Sequence, residues 1–139
     1  MKAQEPRIIL ITPPPVDETR MEESDQAKGI TEIQRVAKHT ALYADAAREV
    51  GQQLGVVTLD LWTIMMEKAS WKDGDPLPGT KEHGRNKVFT ELMHDGLHFS
   101  STGYKVLHEE LMKTIAKHWP DQHPDRLRFV FPSWEVAPK

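Results

Sequence analysis

Asp95-Gly96-Leu97-His98, followed by Phe99-Ser100-Ser101-Thr102-Gly103-Tyr104, sets a carboxylate three residues before an imidazole. The pair stands on a loop that leads into a helix. In a serine hydrolase the imidazole takes the hydroxyl proton and returns it to the leaving group. The carboxylate fixes the tautomer and stabilises the imidazolium. Those roles need one ring nitrogen within hydrogen-bond reach of the carboxylate and the other facing the nucleophile. A spacing of three, with Gly96 allowing a tight turn and Leu97 pointing the other way into the core, meets the requirement on a single loop. Taken alone, the four residues are better explained as a helix cap or a surface pair. The activated serine that would complete a triad is not found upstream.

His94 and His98 are four apart, a spacing that on a helix would turn two imidazoles to one face as metal ligands. Gly96 between them argues against a continuous helix, and no clear third ligand stands nearby. The expectation is therefore no metal site. His39, His108 and His118 fall on helices, and His83 and His123 in loops, with no chemistry implied.

The elements that must hold the loop follow from pattern. Arg7 to Thr12 is β-branched and continuously apolar, then stopped by Pro13-Pro14-Pro15. Such a run predicts a strand buried on both faces of a parallel sheet. Val16 to Gly29 is polar and acidic and reads as a solvated loop. Thr31 and Gln34 have capping-box spacing, opening a helix to about Leu54. Its apolar stripe is Ile33, Val36, Ala37, Ala44, Ala47, Val50 and Leu54. Gly55 suits a left-handed cap, and Val56 to Leu59 follows as a second strand. Strand–helix–strand implies a right-handed parallel crossover. Short helices are expected over Asp60 to Ala69 and Lys87 to Met93. A longer one is expected over Thr102 to Trp119, with Tyr104, Leu107, Leu111 and Ile115 on one face. The tail to Lys139 should wrap the surface, anchored by Phe129, Phe131 and Trp134. Two strands are few for an α/β sheet, and an apolar edge left open favours association. The sequence looks like part of a sheet.

With 139 residues, the chain is long enough for one domain with a buried core. A net charge of -3, with scattered Lys and Arg, gives no nucleic-acid footprint. The absence of cysteine excludes disulfide and thiolate chemistry and suits the cytoplasm. Ile8-Ile9-Leu10-Ile11, the longest apolar run, is too short to span a bilayer. No signal-peptide pattern follows Met1.

Asp95 to His98 with Ser100 and Gly103-Tyr104 resembles the C-terminal motif of the SGNH, or GDSL-type, esterase superfamily. Ile11-Thr12-Pro13-Pro14-Pro15-Val16-Asp17-Glu18, and Trp119-Pro120 with Pro132-Ser133-Trp134, resemble its isoamyl-acetate-hydrolysing branch. The resemblance covers the whole chain but only the family's C-terminal half. It implies an α/β fold, the C-terminal part of a three-layer α/β/α flavodoxin-like SGNH hydrolase with an incomplete parallel sheet. Residues 1–119 would form that half-domain and 120–139 an extension around it. It implies hydrolysis of small acyl esters without metal or organic cofactor, with Asp95 and His98 as triad acid and base. The family's Gly-Asp-Ser nucleophile segment and its oxyanion glycine and asparagine have no match. None of Ser24, Ser70, Ser100, Ser101 and Ser133 sits in that context, and Asn86 follows the second strand. Ser100 and Ser101 read as caps. Without nucleophile and donors, efficient esterase activity is not expected of these residues alone.

Two readings follow. In one the chain is a truncated piece of a carboxylic-ester hydrolase. In the other it is a non-catalytic remnant that binds or regulates, self-associating or pairing with a full-length relative through its open sheet edge.

Overall fold

Ile9–Ile11 (β1) and Val57–Leu59 (β2) pair in parallel, with Ile9 opposite Val57, Leu10 opposite Thr58 and Ile11 opposite Leu59. The computed structural model describes residues 6–31, 35–127, 130–131 and 134–136. Within these, helices run over Glu18–Ala27 (α1), Ala37–Leu54 (α2), Leu61–Lys68 (α3), Lys87–Leu92 (α4) and Ser101–His118 (α5). Single 3-10 turns follow at Pro120–Gln122 and Pro124–Arg126. The architecture is an incomplete α/β fold: helices around a two-stranded parallel sheet.

β1 departs from the doubly buried strand its sequence predicts. Ile9 and Leu10 are half-buried, Ile11 is 37% exposed and Ile8 56%. Among the described residues only β2 pairs with it, so its other edge has no neighbour to cover its side chains. The strand ends are nevertheless firmly tied. Thr12, buried beyond β1, donates its hydroxyl to Asp60 Oδ1 at 3.1 Å and accepts the Trp62 N–H at 3.0 Å. Asp60 also caps α3, accepting Thr63 N–H at 3.2 Å, and takes Arg48 Nη1 at 2.9 and 3.0 Å. One carboxylate thus joins β1, α2, β2 and α3.

α1 corrects the expectation of a loop. Asp17 caps it, its Oδ1 accepting Arg20 N–H at 3.1 Å, and Gly29 leaves it with φ 75°. It escaped the periodicity argument because Met21 is its only buried residue. A helix with so little apolar surface is held by its ends.

α2 begins six residues after Thr31, behind Val36, which makes no side-chain cap. Gln34 and Ile33 lie outside the described residues. Instead Glu18 of α1 caps it from a distance, its Oε1 accepting Ala37 N–H at 2.8 Å. The far end closes on Gly55 at φ 62°, as expected. The face that packs is Ala37, Ala44 and Gly51, seven apart, whereas Val50 is 45% and Leu54 71% exposed. Small residues bring the helix onto the sheet. A Cβ on Gly51 would overlap Thr58 Oγ1.

The core lies between α2, α3, α4 and α5, where Leu61, Trp62, Met65, Met66, Phe89 and Met93 are buried. α3, α4 and α5 lie within two residues of their expected bounds. On α5 the buried positions are Gly103 and Val106, while Tyr104 is 61% exposed and meets Phe99 edge-on at 5.4 Å. In the tail Phe131 and Trp134 are solvent-exposed and anchor nothing among the described residues, and Phe129 lies outside them.

Candidate functional site

The segment between α4 and α5 is a closed loop. Met93 and Phe99 form an antiparallel bridge, and His94 N–H donates to the His98 carbonyl at 3.0 Å. α5 starts immediately after, its N-terminus capped by Ser100, whose Oγ accepts Gly103 N–H at 3.2 Å. Ser100 is therefore occupied as a cap, as the sequence suggests. Asn86 is a cap too, its Oδ1 accepting Val88 and Phe89 N–H at 3.0 and 3.2 Å.

Inside the loop Asp95 folds back on its own backbone. Oδ1 accepts Leu97 N–H at 3.0 Å and His98 N–H at 2.8 Å. Oδ2 meets His98 Nδ1 at 2.8 Å. The turn requires φ 85° at Gly96, a conformation that costs glycine little. The Asp95 side chain is 13% exposed, that of His98 68%. Burial alone would push the Asp95 carboxyl up. The backbone and ring hydrogen bonds from His98, the Leu97 N–H and the nearby His94 outweigh it and hold the carboxyl well below the usual carboxylate range. The result is an ionised acceptor on Nδ1 and a second ring nitrogen, Nε2, without a protein partner among the described residues.

α1 positions this loop, and sequence reading missed it. Asp17 N–H donates to the Gly96 carbonyl at 2.9 Å, and Arg20 Nε donates to the His94 carbonyl at 2.9 Å. Glu18 N–H reaches the Gly79 carbonyl at 2.8 Å, while its carboxylate also takes Lys81 N–H at 3.2 Å. Leu97 is half-buried against Val16, Met21 and Ala37, pointing inward as expected. The available signal was Asp17 followed by Glu18, a capping residue with an acid in the first turn.

Beside His98 lies a cavity of about 180 Å³, lined among others by Ser24, Lys28, Arg35, Asp95 and Leu97. Ser24 shares the cavity but makes no hydrogen bond to His98 among the described residues. On the other side of Leu97 a groove of about 610 Å³ runs along Pro13, Pro14, Val16, Val36 and Tyr43. Ser133 lies outside the described residues.

As Gly96 suggests, no helix carries His94, and the loop brings Asp95 beside both imidazoles. Ring nitrogens of His94 and His98 and an Asp95 oxygen all lie within 4.8 Å of one another.

No protein-family model matches the chain. Curated proteins do. An isoamyl acetate-hydrolyzing esterase of Saccharomyces cerevisiae is 28% identical over 134 residues, covering 96% of this chain and 50% of that protein. A human isoamyl acetate-hydrolyzing esterase 1 homolog is 33% identical over 113 residues, 81% of this chain and 38% of its own length. A GDSL esterase/lipase of Arabidopsis thaliana is 33% identical over 113 residues, 79% of this chain and 39% of its own. An α/β fold with a parallel sheet and an Asp-x-x-His loop before its last long helix, joined to these relatives, places the chain in the SGNH/GDSL-type esterase superfamily. Within it the resemblance is to the isoamyl-acetate-hydrolysing branch. The chain spans about half the length, or less, of the curated relatives it matches, which fits one half of such a protein. Among the described residues no helix is long and apolar enough to cross a membrane.

Proposed function

We propose that this chain supplies the acid–base half of a serine carboxylic-ester hydrolase that cleaves small acyl esters such as acetate esters. His98 Nε2 takes the proton of a serine hydroxyl as it attacks the ester carbonyl, then returns it to the departing alkoxide. Asp95 keeps the proton on Nδ1 and balances the imidazolium. The single observation that supports these roles is the 2.8 Å contact between Asp95 Oδ2 and His98 Nδ1, with Nε2 left open to solvent. The names of the yeast and human relatives, which refer to isoamyl acetate hydrolysis, support the substrate class. In this reading the nucleophile and its oxyanion donors are not among these 139 residues. The proposal is of a cytoplasmic reaction that needs no cofactor.

A chimera tests it. The matching half of the Saccharomyces cerevisiae relative is replaced by this chain and acetate-ester hydrolysis is followed. An active chimera whose His98→Ala variant loses more than ~10⁴ in kcat supports the proposal. Activity that survives His98→Ala overturns it. The 139-residue chain by itself should take up no fluorophosphonate. Stoichiometric labelling of Ser24, or of any other serine, would disprove the claim that the nucleophile lies outside it.

A further inference from the structure

Beside the hydrogen bond between Asp95 and His98, a gap of 3.7 Å separates His94 Nε2 from the same carboxylate oxygen. His94 Nδ1 lies 3.2 Å from the His98 carbonyl oxygen, which can only accept. In the neutral ring Nδ1 therefore carries the proton, and Nε2 keeps its lone pair. That Nε2 faces Asp95 Oδ2 at 3.7 Å, lone pair toward anionic oxygen. The same Oδ2 lies 2.8 Å from His98 Nδ1. A ring nitrogen lone pair and an anionic oxygen with no hydrogen between them, beside a second imidazole, are an arrangement a cation completes.

We infer that His94, Asp95 and His98 form a binding site for a divalent zinc-like transition metal ion. Two imidazoles and one carboxylate suit Zn²⁺ better than calcium or magnesium, which prefer all-oxygen sets. At metal–ligand lengths of about 2.0–2.2 Å, ligands of a tetrahedral ion stand about 3.3–3.6 Å apart. The observed separations of 2.8 and 3.7 Å straddle that spacing, so small rotations of the rings suffice. The bond from His94 N–H to the His98 carbonyl closes the loop and holds both ligand-bearing ends. The Nδ1 contact of His94 is the outer hydrogen bond that orients a metal-ligating histidine. The rings are 62% and 68% exposed, which leaves the fourth position to water.

Coordination moves one proton. His98 Nδ1 gives its lone pair to the metal, its proton passes to solvent, and Nε2 gains one, so the ring stays neutral. A metallated His98 then presents N–H where the general base needs a lone pair. The ion is an inhibitor of the hydrolase, a consequence that rests on the function proposed above; binding itself does not.

Zinc chloride titrated calorimetrically into the 139-residue chain tests the site. One Zn²⁺ per chain is expected, with affinity falling more than about tenfold in His94→Ala, since loss of even an outer partner costs 10–100-fold. His39→Ala, outside the site, should bind as the parent does. Asp95→Asn should also lose binding, but Asp95 shapes the loop, so the exposed His94 is the deciding variant. Nitrogen-15 spectra of the rings should show His98 exchanging its protonated nitrogen from Nδ1 to Nε2 on zinc addition. No saturable binding, equal affinity in His94→Ala, or ring spectra unchanged by zinc would each overturn the inference. The last result would mean that a proton fills the gap.

Discussion

Asp17 and Gly96 are joined backbone to backbone, the N–H of one on the carbonyl of the other at 2.9 Å. This bond fastens the cap of α1 to the turn that presents Asp95 and His98. The approach is close because Gly96 has no side chain. A Cβ there would lie 2.5 Å from the Asp17 carbonyl oxygen and 2.7 Å from Met21 N, both backbone atoms.

Gly96→Ala is expected to destabilise the chain and disturb the site together. The backbone conformation alone, φ 85°, costs roughly 1–3 kcal/mol for a residue other than glycine, and the backbone overlap adds to it. Urea unfolding measures the loss. Proton spectra should show the His98 ring hydrogen bond weakened even where the variant is folded. A variant as stable as the parent, with an unchanged ring signal, would contradict the docking of the loop on α1.

Gly51→Ala should behave against its helix propensity. In an open helix the change gains up to ~1 kcal/mol. Here the new methyl meets Thr58 Oγ1 on β2, and overpacking costs about 1–3 kcal/mol. Thr58→Ala removes the hydroxyl, so the double variant should recover most of the loss. A double-mutant cycle by thermal or urea unfolding reads the coupling. Additive effects would mean that α2 and β2 are not in this contact.

Two carboxylates should give opposite slopes with pH. Asp95 is held below its ordinary value of 3.8, mainly by hydrogen bonds that overcome burial. Its stabilisation is complete above pH 3.8 and is lost as pH falls toward the lower folded value. Asp17 is raised above 3.8, because burial outweighs the N–H groups of Arg20 and Thr19 and one oxygen has no partner. Its folded form is favoured below pH 3.8 and loses stability as pH rises through the raised value. Urea midpoints between about pH 2 and 7 test both. Asp95→Asn should flatten the acid limb. Asp17→Ser, which keeps a capping oxygen, should gain on the parent as pH rises.

What could be read from the sequence was what depends on neighbours in the chain. Asp95 and His98 meet because three residues and a glycine bring them together. Gly55 ends α2 because its own φ allows it. The two apolar runs pair because one helix returns the chain. What could not be read depends on distant partners. α2 is capped by Glu18 and not by its own Thr31, and a carboxylate donated from another helix leaves no local spacing. α1 has one buried residue, so no periodicity marks it. On the packing face of α2, Ala37 and Ala44 stand in the stripe read from the sequence, but Gly51 does not, and Val50 and Leu54 of that stripe turn outward because small residues face the sheet. The nearness of His94 to Asp95 and His98 depends on how the loop turns back, which spacing alone does not show.

The parallel pairing of β1 with β2 also sets a timetable. Thr12 and the Asp60 that holds it are 48 residues apart. At about 5–20 residues per second of synthesis, the ribosome delivers Asp60 roughly 2–10 s after Thr12. Through that interval Ile8-Ile9-Leu10-Ile11 waits for the partner that β2 supplies. A holding chaperone can take that stretch meanwhile, and the rate of translation through α2 decides how long it is offered.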